Sequence, residues 1–298
     1  MTRKRARNWS KSNQSLVNQG SIFFWFKGKP EKSWYATHEG QRGRPPVFSD
    51  DAILALMIVR VVYGCAFRQL QGLMKDILQM MQTGCKCPDY TTICRRARGI
   101  KVPFKLRRRG PLHVVFDSTG LKVYGEGEWQ ARKHGPSYRR GWKKVHIAMC
   151  AETQEIVAAS FSDKELHDSH ALPGLLDVIR GDIAEVIGDG AYDTRGCYEA
   201  IHRRGAKAVI PPRKGARKSG LPSLIARDAA IHRITDQKRG RRRWKEEVGY
   251  HRRSLIETAM HRLKSLTGPG IRARIPENQA VELSVKMFVL NEMMALRS

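Results

Sequence analysis

Leu112-His113-Val114-Val115-Phe116-Asp117-Ser118-Thr119-Gly120 is a short, mostly apolar run that stops at an acid, two hydroxyls and a glycine. It reads as a buried strand with a carboxylate at its end. Working outward, Val145 to Cys150 and Ile156 to Phe161 read as two more strands. A helix follows over Ser169 to Ile179, then a strand at Glu185-Val186-Ile187, a helix over Thr194 to Arg204, and a strand at Ala208-Val209-Ile210. Three strands, then helix, strand, helix, strand predict an α/β domain built on a mixed sheet. Its boundaries are set at residues 109–298, with 211–245 a basic, loop-rich insertion rich in Pro, Gly, Lys and Arg.

The 298-residue chain carries 55 Lys and Arg against 28 Asp and Glu, a formal net charge of +27. With 41% hydrophobic residues it can build real cores, which argues against a disordered chain. The longest apolar stretch, Ala52 to Val62, is broken by Arg60 and falls short of the roughly 20 residues a membrane span needs. The basic N-terminus leads into no signal-type apolar core, and six cysteines over this length make no secreted disulfide framework. A cytoplasmic protein with no membrane partner is expected.

The charge is uneven. Residues 1–110 hold 22 basic and 6 acidic side chains, residues 111–210 hold 13 and 14, residues 211–264 hold 16 and 5, and residues 265–298 hold 4 and 3. Two basic segments flank a near-neutral, acid-bearing middle. That distribution suits a protein that grips a polyanion with its flanks and keeps carboxylates for something else.

Residues 1–108 read as a basic, all-α, helix-turn-helix-like DNA-binding region. Ser49-Asp50-Asp51 supplies a cap and an acidic first turn for a helix ended by Gly64, and Phe67 to Met81 carries a second amphipathic helix. Pro88 to Arg98 is a third helix, whose basic face includes Arg95 and Arg96. Arg44, within Arg42-Gly43-Arg44-Pro45-Pro46, is a candidate minor-groove contact, and Ile22 to Phe26 an apolar anchor for the arm.

Two acids stand at predicted strand ends: Asp117, and Asp189 in Ile187-Gly188-Asp189-Gly190. Acids so placed can converge on one site, although an acid alone after a strand is more often a turn or cap residue. A third lies on the helix predicted over Tyr250 to Leu266. Tyr250, Arg253, Glu257 and Lys264 fall within an arc of about 60° at roughly 100° per residue. One stripe therefore presents an aromatic, two cations and a carboxylate. A solvated face with an Arg253–Glu257 pair has the same spacing.

The Tyr-x2-Arg-x3-Glu-x6-Lys pattern at Tyr250, Arg253, Glu257 and Lys264 resembles that of DDE transposases of bacterial insertion sequences. Cys87-Pro88-Asp89-Tyr90, Gly120 to Trp129, Asp189 to Thr194 and Gly249 to Ser254 are similar to the insertion sequence 5 family, in its 903-type branch. The resemblance implies an RNase H-like catalytic fold with Asp117, Asp189 and Glu257 as metal-binding, catalytic residues. It implies two Mg²⁺ ions, with Mn²⁺ able to substitute. The implied activity is cleavage of terminal inverted repeats and joining of 3′-hydroxyl ends to target DNA by a homodimer or higher oligomer. Such chemistry is an in-line displacement at phosphorus, which two divalent ions held by carboxylates can serve. Tyr250, Arg253 and Lys264 then belong beside the DNA end, and Arg242 in the basic segment tracks DNA. An RNase H-like nuclease without strand transfer, or a non-catalytic DNA-binding descendant, is the alternative.

Of the remaining acids, Asp193 reads as a helix cap and Glu126 as the next acid to test. Cys85, Cys87 and Cys94 show no fourth ligand at zinc spacing. Trp142 fits either a DNA contact or a half-buried strand position.

Overall fold

The computed structural model describes residues 9–21, 33–37, 43, 45–104, 107, 110–123, 142–236, 239–268 and 270–296. Arg44, Glu126 and the Ile22 to Phe26 run lie outside them. The chain divides into two compact units: Met1–Pro103 with Leu266–Gly268 and Arg272–Ser298, and Phe104–Ser265 with Pro269–Ile271.

The first unit contains α1 (Trp9–Gln19), α2 (Asp50–Tyr63), α3 (Phe67–Met80) and α4 (Tyr90–Ala97). Ser49 Oγ accepts the Ala52 N–H at 3.0 Å and starts α2. Gly64, at φ 65°, supplies the left-handed residue that ends it. Gly64-Cys65-Ala66 is the whole connection to α3, which leaves at 110° to α2. No single helix among the described residues is long and apolar enough to cross a membrane. Ile53, Leu56 and Val59 of α2 meet Leu70, Met74 and Leu78 of α3 and Ile93 of α4 in one core. Asp89 caps α4 by accepting the Thr91 N–H at 2.8 Å.

The second unit is built on β1 (Leu112–Val123), β2 (Trp142–Cys150) and β3 (Ile156–Asp163), which run antiparallel in sequence. After α5 (Asp168–Val178), β4 (Ile183–Ile187) returns parallel to β1; after α6 (Arg195–Arg203), β5 (Lys207–Val209) pairs parallel with β4. The order β3-β2-β1-β4-β5 makes the expected mixed α/β sheet, an RNase H-like arrangement. Its two faces follow from strand alternation. Val114, Phe116, Ala148, Cys150 and Val186 point to the face covered by Leu172, Leu175 and Leu176 of α5 and Tyr198 and Ile201 of α6. His113, Val115, Asp117, Glu185 and Ile187 belong to the other.

Residues 211–245, expected as loop, are half helical: α7 (Ile225–Thr235) and α8 (Gly240–Glu247) pack against each other. Few apolar residues hold it, chiefly Ala230, Ile231 and Trp244, so a charge-dominated sequence hides it. The pair closes over Gly240, where a Cβ would stand 2.3 Å from the Ile234 carbonyl oxygen. The helix expected from Tyr250 begins instead as a 3₁₀ turn, Tyr250–Arg253, and becomes α9 at Ser254–Thr267. A short strand, β6 (Gly270–Ile271), then pairs with the far end of β1.

The last helix, α10 (Pro276–Ala295), corrects the sequence-based boundary, because residues 272–298 belong to the first unit. Val281, Val285, Phe288, Val289 and Met293 enter the core around α2. Glu282, buried, accepts the N–H groups of Arg272 and Ala273, each at 2.9 Å, and pairs with Arg60 at 3.4 Å. A helix buried on nearly every side has no apolar stripe to announce its neighbour.

Candidate active site

The parallel pairing of β1 and β4 sets Val115 opposite Ile187. Two residues further on, in the same direction, come Asp117 and Asp189. Asp117 is not at a strand end as expected: it lies within β1, paired with Ile147 of β2, and β1 runs on to Val123. Asp189 follows the end of β4, so the two acids stand side by side where β1 extends past β4. Asp189 caps the turn that follows, accepting the Ala191 N–H at 2.8 Å. Gly188 allows that turn, since a Cβ there would meet the Tyr192 ring at 2.9 Å. Tyr192 packs edge-on to Phe116 beneath it. Asp189 thus acts as a cap with one carboxylate oxygen.

Arg252 and Arg253 fasten the turn that starts the third acid's helix to the sheet face that carries Asp117, and Arg262 fastens the helix to the β2–β3 turn. Arg252 pairs with the buried Glu185 of β4, Arg253 Nη1 donates to Asp117 Oδ2 at 3.0 Å, and Arg262 donates to Gln154 at 2.9 Å. The 3₁₀ turn places Tyr250 and Arg253 one above the other. Arg253 Nη2 reaches forward one turn to the Glu257 carboxylate. The guanidinium thus stands between Asp117 and Glu257, with Asp189 and the Tyr250 hydroxyl in electrostatic range.

The electrostatics record that crowding. Burial raises the Asp117 carboxyl above its ordinary range; the Ser118 N–H and Arg253 oppose the shift, while Asp189 and Glu257 add to it. Burial also raises the Tyr250 hydroxyl, against Arg253 and with all three acids. Arg253 loses some hydration, yet Tyr250, Asp117, Glu257 and Asp189 together hold it more firmly protonated than a free arginine.

Three carboxylates from three elements are the hard oxygen donors that a divalent ion such as Mg²⁺ takes, so the donor set fits one. Among the described residues no three His, Cys, Asp or Glu side chains stand close enough to share an ion. The guanidinium occupies the space between two of them.

The other expected site residues scatter. Lys264 lies half-buried two turns beyond Glu257. Arg242 is exposed on α8, paired with Glu246 at 3.0 Å, and borders a cavity of about 520 Å³ with Arg241, Lys245, Tyr250 and His251. Trp244 and Tyr250 lie 6.1 Å apart, and the Lys245 amine sits 5.0 Å over the Tyr250 ring. Sequence reading missed this groove, because its residues join only once α8 folds. Arg95 is exposed on α4, but Arg96 turns inward to the Phe48 carbonyl at 2.9 Å and Asp50 at 2.7 Å. Asp193 is not a cap: it is buried, accepting the Arg213 N–H at 2.8 Å and pairing with Arg227 at 2.7 Å. Trp142 begins β2 half-exposed, with the Lys122 amine 5.6 Å over its ring. The cysteines at 85, 87 and 94 are free thiols.

Two family models, each described as a transposase DDE domain, match residues 17–126 and 108–291. An uncharacterized protein of Aquifex aeolicus (strain VF5) is 23% identical over 195 residues, which is 59% of this chain and 59% of that relative's length. Among solved structures, a piggyBac transposase synaptic complex with hairpin DNA is similar at 9% identity and TM-score 0.41, over 93% of this chain and 74% of that one. The Drosophila P element transposase strand transfer complex is similar at 13% identity and TM-score 0.32, over 95% and 64%. Since the second family model covers more than half of the chain, including all three acids, this protein belongs to the DDE-domain transposase family.

Proposed function

We propose that this chain is the transposase of a bacterial insertion sequence, in the 903-type branch of the insertion sequence 5 family. It binds the terminal inverted repeats as double-stranded DNA, cleaves the ends and joins their 3′-hydroxyls to target DNA, as a homodimer or higher oligomer. The observation that supports the reading is the Arg253 guanidinium bonded to both Asp117 and Glu257, with Asp189 in electrostatic range of it.

In this reading the three acids hold two Mg²⁺ ions, or Mn²⁺ in their place. A divalent ion held by these residues would supply activation of the attacking oxygen and stabilisation of the leaving one. The chain's own residues do the rest. Arg252 on Glu185 fixes the start of the helix that carries Glu257. Arg253 and Lys264 hold phosphates beside the scissile bond, and the Tyr250 ring packs against the DNA end. The cation-rimmed groove at Arg241, Arg242 and Lys245 carries the backbone away. In the first unit, the three-residue turn and 110° angle between α2 and α3 fit a helix-turn-helix. Exposed Arg95 on the adjoining α4 meets DNA phosphate, while Arg96 braces the unit.

The test supplies purified protein with pre-cut ends taken from DNA flanking its own gene, a plasmid target and Mg²⁺. Joined products are expected with wild type and absent with Asp117→Asn or Asp189→Asn. Cleavage of intact ends without joining would favour a nuclease; end binding with neither reaction would favour a non-catalytic descendant.

A further inference from the structure

Arg253 bonds one carboxylate oxygen on each of two acids that the proposed function assigns to the metal. Its Nη1 holds Asp117 Oδ2 at 3.0 Å and its Nη2 holds Glu257 Oε1. The other Asp117 oxygen is engaged by the Ser118 N–H at 2.8 Å. The fork geometry of a guanidinium lets one side chain span two carboxylates, which a lysine ammonium does less well. The guanidinium and a divalent ion shared by these acids exclude one another, by space and by charge.

We propose that Arg253 is a resident competitor for the divalent ion, and that a DNA phosphate releases it. In free protein it neutralises part of the acid cluster and keeps affinity for the ion low. When a phosphate of the DNA end draws the guanidinium away, Asp117 and Glu257 turn to the ion. Phosphate and ion then bind with positive cooperativity, which by linkage runs equally in both directions. This device limits cleavage to protein already seated on DNA. It rests on Asp117, Asp189 and Glu257 being the ligand set.

The experiment measures Mn²⁺ binding to the full chain without DNA, from the electron paramagnetic resonance signal of the free ion. Arg253→Gln is expected to bind Mn²⁺ roughly three- to tenfold more tightly than wild type, the range an incompletely buried ion pair can supply. Arg253→Lys should fall between the two. Without Mn²⁺ the thermal midpoint of Arg253→Gln should lie below that of wild type, and saturating Mn²⁺ should raise it by more. Unchanged or weaker Mn²⁺ binding by both folded variants overturns the proposal. The double variant Asp117→Asn/Glu257→Gln separates the two layers. If it binds Mn²⁺ like wild type, the ligand set itself is wrong. If it loses binding while the Arg253 variants gain none, the ligand set stands and the competition fails.

Discussion

His146 shows how single residues of the sheet carry a stability signature separate from the acid cluster. It is fully buried on β2, with Nε2 2.9 Å from Ser162 Oγ. Burial lowers its pKa, the nearby Asp168 opposing and Lys144 assisting. A histidine held neutral in the fold gains its proton in the unfolded chain first. Its stabilising contribution is therefore present above the unfolded value of 6.5 and is lost as pH falls through that value towards the folded one. Chemical denaturation between pH 7.5 and 5.5 should show wild type losing stability faster than His146→Gln. The slopes should differ by up to about 1.4 kcal/mol per pH unit, and parallel slopes would refute the assignment. At this scale the sequence was partly legible. Asp117 and Asp189 could be found because apolar runs ended at them. Asp193 was misread, because its partners Arg213 and Arg227 lie 20 and 34 residues away and no local pattern points to them.

Among the elements, α9 was legible because a periodic stripe needs only spacing, and spacing survives the change from α-helix to 3₁₀ turn at Tyr250–Arg253. The brace between Arg252 and Glu185 was not, since the two belong to elements 67 residues apart. The α7–α8 pair was hidden for a different reason. Its closure depends on a glycine that lets backbone meet backbone, with Arg239 just before it at φ 62°, rather than on an apolar face. Gly240→Ala should therefore destabilise the protein by about 1–3 kcal/mol, the usual range for overpacking against a backbone that cannot yield. Thermal unfolding and limited proteolysis would read this together. A lower midpoint with new cleavage between residues 225 and 247 is expected. An unchanged midpoint and protease pattern would contradict the close approach.

For the whole molecule, the chain does not divide at one point as the sequence suggested. Residues 1–103 and 272–298 build one core and residues 104–265 the other, with α10 supplying Val285 and Val289 to the first. A fragment of residues 109–298 carries that helix without its partner and is expected to aggregate. Residues 104–271 should stay soluble and monodisperse by size-exclusion chromatography; equal behaviour of the two fragments would argue against the division. The charge pattern fits this arrangement, since the neutral stretch contributes Asp117 and Asp189 while Glu257 sits within the second basic block. The central claim, that these three acids are the catalytic set of a transposase, is tested most directly by Glu257→Gln. Cleavage of DNA carrying the flanks of the protein's own gene should be followed with Mg²⁺, alongside a gel-shift of the same DNA. The account predicts cleavage lost by at least about a thousandfold with DNA binding kept within about threefold, because the substitution removes a ligand and leaves the fold intact. Cleavage at the wild-type rate by a folded, DNA-bound Glu257→Gln protein would contradict it.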